Sequence, residues 1–377
     1  MSDFIVTRVY PSDTKAMEQV VALLASQNLT LDKNLDYIAA IYDGETVIGT
    51  GSAYKNSLRC FAIDPNYKGA ALLNTLLTHL VDMQYERGNY ELFIYTKTES
   101  AKFFKDLGFY EIARIDNVIS FLENNRLGFT QYIKKLQRES ADLVAAMSTK
   151  KGCNPSELEQ HVIVMNANPF TLGHLHLVEQ ASKTADILHL FMVSDDSSLV
   201  PFSVRKRLIY EGTAHIDNIV YHECGPYMIS SATFPGYFQK DEAHVVESQA
   251  ALDINIFSTI AKELHITKRF VGDEPLSGVT HMYNQIMARE LPKYGIEQVV
   301  VPRMETRLAR SEDTVATAEL TDSTQVISAS TVRQAIKNGN WPCVKAMTPA
   351  STYEFFRSDE AKPIIEAICK AEDVIHH

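Results

Sequence analysis

Five short apolar runs, at 161–165, 187–194, 218–223, 268–272 and 297–301, alternate with helical stretches through the second half of the chain. That alternation leaves few folds open: a parallel sheet covered by helices on both faces. Ligands of such sheets bind outside the carboxyl ends of the strands. The most distinctive loop falls there. Asn166-Ala167-Asn168-Pro169-Phe170-Thr171-Leu172-Gly173-His174 follows directly on Val162-Ile163-Val164-Met165 and leads into a helix. A second loop, Ile327-Ser328-Ala329-Ser330-Thr331-Val332-Arg333, also heads a predicted helix. Helix starts carry unpaired N–H groups and a positive dipole end, which suit phosphate. Two of them, one with His and one with Ser and Arg, read together as a grip on a nucleotide triphosphate.

The 377 residues are enough for two or more domains. A net charge of −11 supplies no global field toward nucleic acid or an anionic membrane, so neither is an expected partner. Cys60, Cys153, Cys224, Cys343 and Cys369 form no C-x-x-C pair. They read as reduced thiols in the cytoplasm. No basic and apolar leader opens the sequence, and no apolar stretch approaches the roughly 20 residues of a membrane span.

Residues 1–125 read as an α+β domain. Phe4–Tyr10 is a strand, and Ser12-Asp13 can cap a helix running toward Asn28. Strands at 37–42, 46–54 and 58–63 follow, the first two joined by an Asp43-Gly44 turn. After an amphipathic helix with Leu72, Leu73, Leu76, Leu77 and Leu80 come a strand at 92–95, a helix at 100–107 and one last strand after Gly108-Phe109-Tyr110. This order resembles the acetyltransferase (GNAT) fold. That family's pyrophosphate loop usually reads Gln/Arg-x-x-Gly-x-Gly/Ala, whereas this chain has Asn66-x-x-Gly69-x-Ala71. Coenzyme A binding and docking of a carrier protein both stay open for this domain. Residues 126–157 read as a helical connector, and 158–377 as the parallel-sheet, Rossmann-like domain.

Thr171-Leu172-Gly173-His174 resembles the T/H-x-G-H signature of the nucleotidyltransferase superfamily. Thr171 and His174 share a face of the first helical turn, and Gly173 admits close approach to the backbone. Ile327–Arg333 resembles that superfamily's I-S-S/T-T-x-x-R signature. There Ser328 and Ser330 would offer hydroxyls to phosphates and Arg333 a charged fork. The bland reading of the second motif is a helix start with Thr331-x-x-Gln334 as a capping box.

A longer series extends the resemblance. Ile229–Lys240, Gly272-Asp273-Glu274-Pro275 and Thr280…Tyr283-Asn284 lie in order between the two motifs. With the acetyltransferase-like domain in front, nearly the whole chain resembles the citrate lyase ligase family. The resemblance implies an ATP- and Mg2+-dependent acid–thiol ligase. Acetate attacks the α-phosphorus to give acetyl-adenylate and pyrophosphate. The acetyl group then passes to the thiol of the phosphoribosyl-dephospho-coenzyme A arm on the acyl carrier subunit of citrate lyase. It implies Thr171, His174 and Arg333 as catalytic residues, and Lys240, which follows an aromatic cluster, joins them as the favoured candidate cation. Asn166, Asn168, Phe170, Gly173, Gly272, Asp273, Ser328, Ser330 and Arg333 would contact the nucleotide.

Acetate is ionised at neutral pH and needs no general base. Lys240, Arg205 and Arg207 are candidate cations, with a solvated face as the other reading of Arg205-Lys206-Arg207. Tyr227, Phe234, Tyr237 and Phe238 suit either a methyl pocket or ordinary core. Asp273 suits ribose, magnesium or a plain turn. The histidines show no metal-ligand spacing, and the polar segment 304–325 reads as a long loop. The competing function is an adenylyltransferase with a phosphate acceptor, of the coenzyme A or NAD synthesis type. A third reading makes the N-terminal domain the working part, as an acetyltransferase or coenzyme A sensor.

Overall fold

The computed structural model describes residues 4–67, 70–194, 198–228, 242–273, 278–307 and 324–371. The chain divides into two compact units. Residues 1–132 with 233–256 form the first, and 133–232 with 257–377 the second.

The first unit runs β1 (Val6–Val9), α1 (Thr14–Ser26), β2 (Tyr37–Asp43), β3 (Thr46–Tyr54), β4 (Ser57–Ile63), α2 (Ala70–Glu86), β5 (Phe93–Thr96), α3 (Ala101–Asp106), β6 (Tyr110–Ile115) and β7 (Ile119–Glu123). Its sheet has the order β1-β2-β3-β4-β5-β7-β6. All neighbours are antiparallel except β4 and β5, which α2 joins as a crossover. That is the acetyltransferase topology. Asp13 caps α1 by accepting the Ala16 N–H at 3.0 Å. Gly51 lets α2 lie close on the sheet: a methyl group there would stand 2.9 Å from Phe61 and 3.1 Å from Leu80. The chain beyond Phe109 makes a two-stranded return, β6 and β7, rather than the single strand expected. Asn66 is exposed, and Gly69 lies outside the described residues.

The helix α4 (Gly128–Lys151) precedes β8 (Gln160–Met165), α5 (Leu172–Thr184), β9 (Ile187–Met192), α6 (Phe202–Thr213), β10 (Ile219–Glu223), α7 (Glu242–Glu263), β11 (Ile266–Gly272), α8 (Gly278–Glu290) and β12 (Glu297–Val301). Strands β8 to β12 form a five-stranded sheet, every pair parallel, in the order β10-β9-β8-β11-β12. The chain builds outward from β8 to β10 on one side and from β11 to β12 on the other. The order therefore reverses between β8 and β11, and open α/β sheets bind ligands at the carboxyl ends beside such a switch point. Strand β9 is buried along its whole length, as a strand covered on both faces must be.

The segment 304–325 is not simply a loop. Its ends pair as β13 (Glu305–Arg307) and β14 (Thr324–Val326), with Glu305 opposite Val326. Residues 308–323 lie outside the described residues. Then come α9 (Ala329–Lys337), α10 (Trp341–Met347), α11 (Ala350–Arg357) and α12 (Lys362–Lys370). One core joins the two motif regions: Met165, Ala167 and Phe170 are buried with Ile327, Val332 and Ala335. No helix among the described residues is long and apolar enough to cross a membrane.

Candidate functional site

The first motif leaves β8 at its carboxyl end. Ala167 takes a left-handed φ of +50°, and the Asn168–Pro169 peptide is cis. Thr171 is the N-cap of α5. Its backbone N–H donates to Nδ1 of His174 at 3.1 Å, and its hydroxyl lies 2.9 Å from the same nitrogen. The His174 N–H donates in turn to the Thr171 hydroxyl at 3.4 Å. A backbone N–H can only donate, so Nδ1 is bare and the imidazole proton sits on Nε2. Burial, with the nearby charge of Arg303 adding to it, lowers the His174 imidazole to about 4. The ring is neutral at physiological pH, and its tautomer is fixed by its own helix cap. It presents Nε2–H as a donor that meets no acceptor among the described residues.

The other residues of this loop divide by burial. Asn166 is exposed, with its amide 3.1 Å from the Ser198 hydroxyl. Asn168 is buried, and its side-chain oxygen accepts the Val200 N–H at 3.1 Å. Phe170 is fully buried and stacks on His174, with centroids 5.9 Å apart and planes 16° apart. It backs the imidazole rather than opening onto solvent.

The second motif starts α9, capped by Ser328, which accepts the Thr331 N–H at 3.1 Å. Thr331 is therefore not the cap, and the Gln334 amide turns to Asn338 at 3.1 Å instead. The Ser328 hydroxyl lies 2.9 Å from that of Ser330 and 2.7 Å from that of Thr331, a cluster of rotatable donors at the helix start.

The two motifs meet. A methyl group on Gly173 would stand 3.4 Å from the Ile327 carbonyl oxygen, so the close approach at this glycine is to the chain just ahead of Ser328. Arg333 is turned inward, 2% exposed, and Nη1 donates to the carbonyl of Asn168. Arg205 is buried too. It donates to the carbonyls of Asn166 at 2.8 Å, Val193 at 2.7 Å and Val200 at 3.0 Å, and to the Asn166 side chain at 2.8 Å. Arg205 is thus a tie between the loops that follow β8 and β9, not an exposed cation. Arg207 lies on the surface, 3.0 Å from Glu360, and Lys206 lies 2.7 Å from Glu223.

Across the switch point, β11 ends at Gly272, where an added methyl group would meet nothing within 4 Å among the described residues. Asp273 is exposed, and its N–H donates to the Val301 carbonyl at 3.0 Å. Arg303, just beyond β12, donates from Nε to the Asp273 carbonyl at 2.6 Å. An Arg after a strand carries no motif, so nothing in the string singles out Arg303. Tyr227 is buried. Phe234, Tyr237, Phe238 and Lys240 lie outside the described residues. Among the described residues no group of three or more His, Cys, Asp or Glu could hold a metal ion. His189 and His222 instead join a buried chain, with His189 3.0 Å from both Gln160 and His222, and His222 2.6 Å from Glu139.

A family model of the citrate lyase ligase C-terminal domain matches residues 160–356. The citrate (pro-3S)-lyase ligase of Escherichia coli is 34% identical over 355 residues, 94% of this chain and 94% of its own. The chain belongs to the citrate lyase ligase family. The ligase of that name from Klebsiella pneumoniae is 35% identical over 344 residues, 91% of this chain and 93% of its own. That from Haemophilus influenzae is 34% identical over 353 residues, 92% of this chain and 96% of its own. A solved GNAT-family acetyltransferase from Staphylococcus aureus, 98% of its length covered, aligns with 32% of the chain at 15% identity and a TM-score of 0.28.

Proposed function

We propose that the chain is an acid–thiol ligase that activates citrate lyase by acetylating the thiol of its acyl carrier prosthetic group through an acetyl-adenylate. The observation that carries this reading is the meeting of the two helix starts at the carboxyl end of β8, with a neutral His174 donor on one and a hydroxyl cluster on the other. Family membership supplies the reaction class.

ATP enters at the switch point with its triphosphate between the starts of α5 and α9. His174 Nε2–H and the N–H groups of the first turns bind phosphate oxygens, and Ser328 and Ser330 take the outer phosphates. Thr171 holds the imidazole, while Arg333 and Arg205 hold the loop; both guanidiniums act on backbone carbonyls. Arg303 brings a positive charge close enough to act on His174, and Lys240 is assigned to the acetate carboxylate on sequence alone. An acetate oxygen bonds to the α-phosphorus as the bond to pyrophosphate breaks. The carrier thiolate then attacks the acetyl carbonyl and AMP leaves. Positioning and electrostatic stabilisation do the work, and no protein nucleophile is required. Magnesium, when bound, neutralises the pyrophosphate leaving group. It characteristically binds through phosphates with one or two carboxylates, and Asp273 is the exposed carboxylate at the end of β11. Cys60, Cys153, Cys224, Cys343 and Cys369 are all free thiols, which suits a cytoplasmic enzyme.

Magnesium-dependent ATP–pyrophosphate exchange, run without carrier, tests the proposal. Exchange that requires acetate is expected. Exchange indifferent to acetate but supported by dephospho-coenzyme A or a dinucleotide would mean an adenylyltransferase. We assign the first unit to the carrier or its prosthetic arm. Asn66→Asp should then raise KM for the carrier severalfold and leave carrier-free exchange intact, whereas an equal loss in both would refute the assignment.

A further inference from the structure

The imidazole of His174 is held at one edge by Thr171 and stacks on Phe170, and an edge of the Phe170 ring is met in turn by α6. A methyl group on Gly212 would stand 2.5 Å from Cε1, 2.9 Å from Cδ1 and 3.6 Å from Cζ of the Phe170 ring. Real contacts of that kind do not occur at 2.5 Å, so a side chain at 212 moves the ring. Phe170 is fully buried in the core that also holds Val178 and Leu208, and close-packed interiors transmit such displacements. Its neighbour in the stack is His174.

We infer that Gly212 is a positioning residue of the nucleotide site, acting through Phe170 to set the plane and place of the His174 imidazole. The inference rests on the reading of His174 as a phosphate donor. An ordinary helical glycine gains stability on mutation to alanine; here the steric term opposes that gain.

The test uses the full-length protein, with Gly212→Ala, Phe170→Leu and the double variant compared in acetate-dependent exchange and by imidazole 15N NMR of His174. Gly212→Ala should lower kcat about 10²-fold, change KM for ATP far less, and shift the His174 ring signals. Phe170→Leu removes the ring edge that the new methyl group meets. The double variant should therefore match Phe170→Leu alone in rate and ring signals, with a Tm equal to or a little above it, since the helical gain of alanine is no longer opposed. Wild-type kcat and ring signals in Gly212→Ala would overturn the inference. So would a double variant well below Phe170→Leu, since the methyl group would then be meeting something other than the ring. If Gly212→Ala fails to fold, the comparison of Phe170→Leu with the double variant decides alone. If the wild-type protein shows no acetate-dependent exchange, the functional reading fails, and the ring signals still decide the role of Gly212.

Discussion

The helix starts of α5 and α9, proposed to share one ligand, are built from different materials. At α5 the cap is a hydroxyl and an imidazole committed to each other, and the backbone N–H of Thr171 fixes where the imidazole proton sits. At α9 the cap is the Ser328 hydroxyl, clustered with those of Ser330 and Thr331, each of which can turn its proton. The first presents one donor of fixed direction. The second presents donors and acceptors that adapt. A fixed donor suits a phosphorus centre where charge develops in the transition state. Adaptable hydroxyls suit terminal phosphates that must be held and then released.

The contrast is broken most severely at His174. His174→Ala should lower kcat for exchange by about 10²–10³-fold, the usual loss for one preorganised donor. If the loss appeared in KM alone, His174 would bind ground state and transition state equally. Next is Arg333, buried and bonded to the Asn168 carbonyl. Arg333→Met should cost about 2–3 kcal/mol of stability, measured by urea unfolding, and lower exchange as well. A stable but inactive variant would instead make Arg333 a direct phosphate ligand.

Legibility of this local geometry in the sequence follows from locality. Thr171, His174, Ser328 and Ser330 were visible because a helix start, its cap and its polar side chains lie within a few residues. The parallel sheet was visible because five apolar runs alternate with helical stretches. The inward turn of Arg333, the tie made by Arg205 and the packing of Gly212 against Phe170 all depend on residues far apart in sequence. Arg205 is instructive: in the string it sits in a basic triplet that reads as surface, yet α6 turns it under the loops after β8 and β9. The pairing of β13 with β14 was hidden for the same reason, since the segment between them separates the partners.

Smaller effects sharpen the comparison. Ser328→Ala removes the α9 cap and should cost about 1 kcal/mol, with KM for ATP rising roughly 2–10-fold and kcat little changed. A kcat collapse there would erase the distinction between the two starts. A separate effect is in pH dependence. The folded His174 is held at about 4, below the ordinary histidine value of 6.5. Above pH 6.5 both folded and unfolded forms are neutral and nothing is lost. As pH falls from 6.5 toward 4, the unfolded chain takes up a proton that the native imidazole refuses, so stability declines through that window and levels below it. His174→Gln should flatten that part of the stability–pH curve, and an unchanged slope would place the imidazole in a solvated setting.

On the proposed reading, two distant motifs build one ATP site at the switch point of the sheet. The decisive measurement is calorimetric titration of MgATP into the wild-type chain, His174→Ala and Ser328→Ala/Ser330→Ala. One binding site in the wild type and weakened affinity in both variants are expected. Undiminished affinity on loss of either motif's side chains would mean that the two helix starts do not share a ligand.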